Sequence, residues 1–150
     1  MTDIKTPEER SKNMSKIRSK GTVPEEYIRK KLFKHGYRYY KNVKTVQGHP
    51  DAWLSKYNTA LFVHGCFWHR HKDCQYTYMP KSRIDFWTEK FNKNIIRDET
   101  VCRQLEQQGI RILIIWECTI KKMMKSEDTE KKIIAEIEEF LASDAGRKEL

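Results

Sequence analysis

The chain has 150 residues, 30 of them Lys or Arg against 21 Asp or Glu, giving a net charge of +9 and a pI near 9.4. That length builds one domain with a core of its own, and the basic excess favours polyanionic partners, nucleic acid ahead of a membrane surface. No apolar run approaches the roughly 20 residues that span a bilayer, and the first twenty residues are too charged for a signal peptide, so a soluble, cytoplasmic protein is expected.

Residues 1–21 are polar and basic, with Arg10, Lys12, Lys16, Arg18 and Lys20 around two isolated apolar residues, Met14 and Ile17. Two readings fit: a loose terminal tail, or an arm lying on a phosphate backbone with Met14 and Ile17 as apolar contacts. Residues 22–150 read as a single domain. Thr22-Val-Pro-Glu25 has the form of a capping box with proline in the first turn. It predicts a helix to about His35, stopped by Gly36, with Ile28 and Leu32 facing inward and Glu25 on the same stripe. Residues 37–46 are expected to be a strand or extended. A turn at Gln47-Gly48-His49-Pro50 leads into Asp51–Tyr57, Asn58 turns the chain, and Thr59–Gly65 reads as a buried strand.

After a loop at Pro80–Arg83, Trp87, Phe91, Ile95, Cys102 and Leu105 recur at helical spacing from Ile84 to Gln108, and Gly109 ends that helix. Ile110–Trp116 is continuously apolar, as in a central strand buried on both faces. A Lys-rich loop is expected next. Residues 128–142 then form an amphipathic helix carrying Ile133, Ile134, Ile137 and Leu141. Helix, three strands, long helix, strand and helix make a compact α/β domain.

The chemistry concentrates in Phe62-Val-His-Gly-Cys-Phe-Trp-His-Arg-His-Lys-Asp-Cys74, which sets metal-capable side chains and two large aromatics at the mouth of a strand. Four cysteines could pair as two disulfides, but histidines interleaved among them in a cytosolic chain favour zinc. Cys66, His71 and Cys74 stand at Cys-x4-His-x2-Cys spacing, and Cys118 arrives from the end of the last strand. Thiolates and an imidazole in a set of four describe a closed structural zinc site. Cys118 also fits a buried core thiol, and Cys102, on the apolar stripe of its helix, reads as core.

Asp51 opens a strand after a tight turn. Such a residue is commonly a turn former, and Glu25 by itself fits its capping box. Glu25 on an inward helix face, with His64 and His69 near in sequence, makes Asp51 a candidate Mg²⁺ ligand. Such an ion polarises a phosphate and acidifies a bound water, and a histidine can take or give the proton.

His64-Gly-Cys-Phe-Trp-His69, together with Pro50-Asp51, Phe86-Trp87, Asn94-x-x-Arg97-Asp98 and Trp116-Glu-Cys118, resembles the very short patch repair (Vsr) mismatch endonucleases over most of the chain, from about Ser11 to Cys118. The resemblance implies a restriction-endonuclease-like central mixed sheet flanked by helices, with a structural zinc site at Cys66, His71, Cys74 and Cys118. It implies a Mg²⁺-dependent nick in one strand of duplex DNA, 5′ of the thymine in a T·G mismatch arising from 5-methylcytosine deamination. Asp51 would hold Mg²⁺ with the backbone carbonyl of Val63. His69 would be the general base or acid, His64 and Glu25 would orient water or phosphate, and Asp98 would support a histidine. Phe67, Trp68 and Trp87 would wedge into the base stack, where a mispaired step is cheaper to open, although Trp87 also fits its helix's core stripe. Met14 and Ile17 would correspond to a clamp on the opposite groove. Mismatch-repair proteins are candidate partners of a chain acting as a monomer on the bacterial nucleoid.

Two departures stand out. Val63 occupies a position where some relatives have threonine, which matters little if only its carbonyl binds. Phe62-Val-His64 supplies neither the second carboxylate nor the lysine usual in restriction-type sites, so the base must be a histidine and activity should fall at acid pH as that histidine protonates. Rival readings are a zinc-stapled DNA-binding module without catalysis, and a restriction-type nuclease cutting both strands of matched DNA.

Overall fold

Thr22 caps the first helix. Its hydroxyl accepts from the Glu25 N–H at 3.4 Å and the Glu25 carboxylate accepts from the Thr22 N–H at 3.4 Å, the reciprocal pair that starts helix α1, Val23–Lys34. The helix stops where Gly36 takes a positive φ of 91°. The computed structural model describes residues 22–41 and 43–150; residues 1–21, with Met14 and Ile17, and Asn42 lie outside the described residues.

Two strands follow, not three. β1, Ala52–Leu54, runs antiparallel to β2, Thr59–His64, with a 3-10 turn and a left-handed Asn58 between them. Among the described residues, the segment 37–46 contributes only an isolated bridge between Tyr40 and Trp53. Its alternation does not extend into a ladder because Thr45–Gly48 bend and turn the chain immediately afterwards. α2, Ile84–Gln107, crosses over and delivers β3, Arg111–Trp116, parallel to β2 in the register Thr59 to Arg111 through His64 to Trp116.

The Lys-rich stretch after β3 is a helix, α3, Glu117–Lys125, because Ile120 and Met123 anchor it to the core while its lysines face outward. Ser126 caps α4, Glu127–Ala142. A short strand that the polar sequence did not announce, β4, Arg147–Glu149, adds parallel to β3. The sheet order is β1-β2-β3-β4, and the architecture is a mixed α/β domain with a four-stranded sheet flanked by helices.

The period-two alternation of β2 and β3 divides the core. Leu61, Leu113 and Ile115 pack against α1, α3 and α4; Phe62, Ile112 and Ile114 pack against Cys102 and Leu105 of α2. β3 is therefore buried on both faces. Along α2 the expected stripe is incomplete: Phe91, Cys102 and Leu105 are buried, whereas Ile95 is 37% exposed and Trp87 half-buried. The helix is longer than the sheet it covers, so its N-terminal half runs on beside the loop that follows β2. Among the described residues no helix is long and apolar enough to cross a membrane.

Candidate active site and metal centre

β2 and β3 are parallel and end together at His64 and Trp116. Chain segments leaving that edge carry the functional side chains, as at the carboxyl ends of strands in open α/β sheets. Two groups form there.

The first comprises Cys66, His71, Cys74 and Cys118, whose ligand atoms all lie within 4.8 Å of one another. His71 Nδ1 stands 3.6 Å from Cys66 Sγ and 3.5 Å from Cys118 Sγ. Tetrahedral ligation with metal–sulfur and metal–nitrogen bonds of about 2.3 and 2.0 Å would separate such donors by about 3.5 Å, so the set fits a thiophilic ion. All four cysteines of the chain are free thiols. Burial pushes the Cys66 thiol up to about 12, although the Cys118 N–H donates to its sulfur at 3.3 Å; burial also lowers His71 and keeps its imidazole neutral. A cation bound here would displace the thiol protons. Cys102 lies apart in the core, as its stripe position implied.

The second group faces a cavity of about 840 Å³ lined by Glu25, Asp51, Val63, His64, Trp68, His69 and Asp98, among others. The Val63 N–H donates to Asp51 Oδ2 at 2.6 Å. Burial, with Glu25 adding to it, pushes the Asp51 carboxyl up to about 7, against the lowering effects of the Val63 N–H, Arg29 and His69. The Val63 carbonyl faces the same side of β2 as that of Leu61, which accepts from the Asp51 N–H at 2.9 Å. β1 does not pair beyond Ala52, so this edge of β2 is open to the cavity. An acid pushed up by burial, beside a second acid and an open carbonyl edge, fits an oxygen-seeking cation. Gly48 shapes the approach: its φ is 82°, and a Cβ there would collide with the Val101 side chain.

His64 and His69 stack with ring centroids 3.9 Å apart and an interplanar angle of 3°. His69 Nδ1 pairs with Asp98 Oδ2 at 2.6 Å, which leaves Nε2 as the nitrogen able to exchange a proton. His64 is 8% exposed, and burial, reinforced by His69, pushes it down to about 3, so it stays neutral. Its Nδ1 has no hydrogen-bond partner among the described residues.

The aromatics predicted to meet a substrate gather on one rim. Phe67 contacts Trp68, Trp87 and Phe91 with ring centroids 5.1, 5.7 and 5.1 Å away, and Trp68 lies 5.9 Å from Trp87. Trp87 is thus neither core nor fully exposed; it leans on Phe91 from the first turns of α2. Lys90 and Arg70 lie over the rings of Trp68 and Phe91. Two neighbours of the site were not anticipated. Arg29, buried on α1, was signalled only by its i,i+4 spacing from Glu25. Trp116 stacks on His71 at 4.1 Å and sets its edge against His64 at 5.2 Å, a contact no local pattern encodes.

A histidine–carboxylate cavity of this size, at the strand ends of a basic α/β domain, fits a hydrolase. Comparison with known sequences narrows this to a family. The sequence model of the DNA mismatch endonuclease Vsr matches residues 2–76. The chain is 45% identical over 139 residues to the type II nicking enzyme V.NmeAIP of Neisseria meningitidis serogroup A, covering 93% of this chain and 99% of that one. It is 39% identical to the type II nicking enzyme V.XorIIP of Xanthomonas oryzae over 82% of this chain and 90% of that one. Over its whole length it is 31% identical to the DNA mismatch endonuclease Vsr of Escherichia coli, covering 94% of that protein. The chain belongs to the Vsr family of DNA mismatch endonucleases, which makes it a nuclease of DNA repair.

Proposed function

We propose that this protein nicks one strand of duplex DNA at a T·G mismatch, on the 5′ side of the thymine, using Mg²⁺ held by Asp51 and the Val63 carbonyl. The observation that carries the reading is the shared cavity in which the Asp51 carboxylate, tied to the Val63 N–H, faces the Asp98–His69 pair. Nuclease relatives and the acid-lined pocket both support a metal requirement. The ion, when bound, supplies positive charge to the scissile phosphate and activates the attacking water.

His69, oriented through Nδ1 by Asp98, accepts the water's proton at Nε2 as the oxygen attacks phosphorus. The bond to the O3′ leaving group breaks, and that oxygen departs with a proton from solvent. His64 is too strongly desolvated to carry a proton to the leaving oxygen, so it acts as a hydrogen-bonding wall that orients water or phosphate. Glu25 helps orient the same waters from α1. Phe67, Trp68 and Trp87 are read as the wedge that enters the mismatched stack, since base–aromatic stacking contributes about 1–3 kcal/mol per base. Cys66, His71, Cys74 and Cys118 are read as a structural zinc site, and the fold as a variant of the restriction-endonuclease sheet. Met14 and Ile17, with the rest of the arm 1–21, are proposed as a clamp on the opposite groove.

The test is strand cleavage of end-labelled duplexes carrying T·G or C·G, with Mg²⁺ or with EDTA. A Mg²⁺-dependent nick confined to the thymine strand is expected. Equal cutting of both duplexes would move the protein to a restriction-type class, and binding without any cut across several flanking sequences would leave only a DNA-binding module.

A further inference from the structure

Arg29 is 8% exposed. A buried guanidinium is costly unless its donors are matched, and here two acceptors meet it. Nη1 donates to the main-chain carbonyl of Asp51 at 3.1 Å and lies 3.8 Å from Glu25 Oε2. Both acceptors belong to residues of the acid-lined cavity. Asp51 is thereby tied at three groups: its N–H to the Leu61 carbonyl at 2.9 Å, its Oδ2 to the Val63 N–H at 2.6 Å, and its carbonyl to Arg29. The first two ties come from β2 and the third from α1, so Arg29 links the Pro50-Asp51 turn to the helix that carries Glu25.

We propose that Arg29 is a positioning residue for the divalent-cation site, fixing the Asp51 and Glu25 carboxylates relative to one another by gripping the Asp51 main chain and Glu25 together. The proposal rests on the reading of Asp51 as the cation ligand. Both contacts run through Nη1, whose N–H directions the planar guanidinium fixes; an ammonium can supply the charge, but its three donors turn freely on a flexible stem. The guanidinium also places one positive charge beneath two acids, which limits their mutual repulsion before a cation arrives. An arginine that merely filled space between α1 and β1 would matter for stability alone.

Arg29→Met and Arg29→Lys separate the two roles. For each variant and the wild type, the Mg²⁺ concentration giving half-maximal nicking is measured, along with the rise in unfolding temperature on adding Mg²⁺ without DNA. The expected result is a roughly tenfold or larger increase in half-saturating Mg²⁺ for Arg29→Met, the usual effect of losing a group that orients a metal ligand. A smaller increase is expected for Arg29→Lys, and a reduced Mg²⁺-induced thermal shift in both. Unchanged half-saturation and thermal shift in both variants overturn the proposal, even if both melt at lower temperature. If Arg29→Met does not fold, Arg29→Lys decides by the same readings. A wild type showing neither a Mg²⁺-dependent nick nor a Mg²⁺-induced shift would instead defeat the reading of Asp51 on which the proposal rests.

Discussion

Asp51 sits where a carboxylate is poorly solvated, and its properties follow from that. Its value in the folded protein, about 7, lies well above that of an exposed aspartate. Between those values the metal-free folded state binds the extra proton, so this group's contribution to stability is present at acid pH and lost as pH rises through about 7. Asp51→Asn, which can still accept from the Val63 N–H, is therefore expected to melt higher than the metal-free wild type at pH 8, with the gap closing towards pH 5. The same variant should cut no better than the EDTA control, and Mg²⁺ should no longer raise its melting temperature. Thermal unfolding at the two pH values, with and without Mg²⁺, reads all of this; a variant that melts lower at pH 8 would mean the carboxylate is well solvated after all.

At the scale of elements, α1 is held at two places by different chemistry. One end meets the cavity through Glu25 and Arg29. The middle docks on α4, where Lys31 Nζ pairs with Glu130 at 2.8 Å and the Tyr27 hydroxyl donates to the same carboxylate at 3.1 Å. The Lys31 hydrogen bond, against partial burial and with help from Tyr27, holds Glu130 below the usual glutamate range, while burial and Glu130 push Tyr27 up to about 12. Glu130 thus contributes stability above the ordinary glutamate range and loses it as pH falls through its depressed folded value. Glu130→Gln is expected to cost about 1 kcal/mol at pH 7, and urea titrations should show wild type and variant converging in strong acid.

The loop after β2 is the other element whose hold can be tested. Rich in His, Arg and Lys, it cannot bury a core of its own; it carries three of the four clustered metal-capable residues, and Cys118 comes from just after β3. If a zinc ion closes it, binding energy there is folding energy. Cys66→Ala or Cys74→Ala should then lose zinc and melt lower by something on the order of 10 °C. Metal analysis of purified protein would show the change, and full zinc stoichiometry in either variant would remove the assignment.

For the whole molecule, the net charge of +9 supplies attraction to any polyanion, steep in salt and indifferent to sequence. Discrimination must come from elsewhere, and the Phe67, Trp68 and Trp87 rim beside the cavity is the candidate. Trp68→Ala is expected to weaken binding to T·G duplex roughly tenfold more than binding to C·G duplex. The salt slope should stay unchanged. Equal losses on both duplexes would assign the rim to general DNA contact. The two centres are also neighbours, since Trp116 lies with one face on His71 and an edge to His64. Its indole donates to Glu149 of β4 at 3.1 Å, so even the last strand reaches the functional end of the sheet.

Local chemistry was enough to read several parts of this protein from sequence. The Thr22 capping box, the apolar runs of β2 and β3, and the Cys-x4-His-x2-Cys spacing each express an interaction between residues close in the chain, so the pattern is written in order. The family motif likewise pointed to Asp51, His64, His69 and Asp98, which line one cavity. Tertiary structure decided the rest, for reasons of packing. Among the described residues, 37–46 form no strand because the ladder finds a single partner, at Trp53; α3 is a helix because Ile120 and Met123 meet a core supplied by other elements. β4 exists because the exposed edge of β3 offers hydrogen bonds to a polar segment with no strand pattern of its own. Trp116 between two centres and Arg29 beneath Asp51 are contacts across long stretches of chain, and no periodicity in sequence encodes a distance that only folding creates.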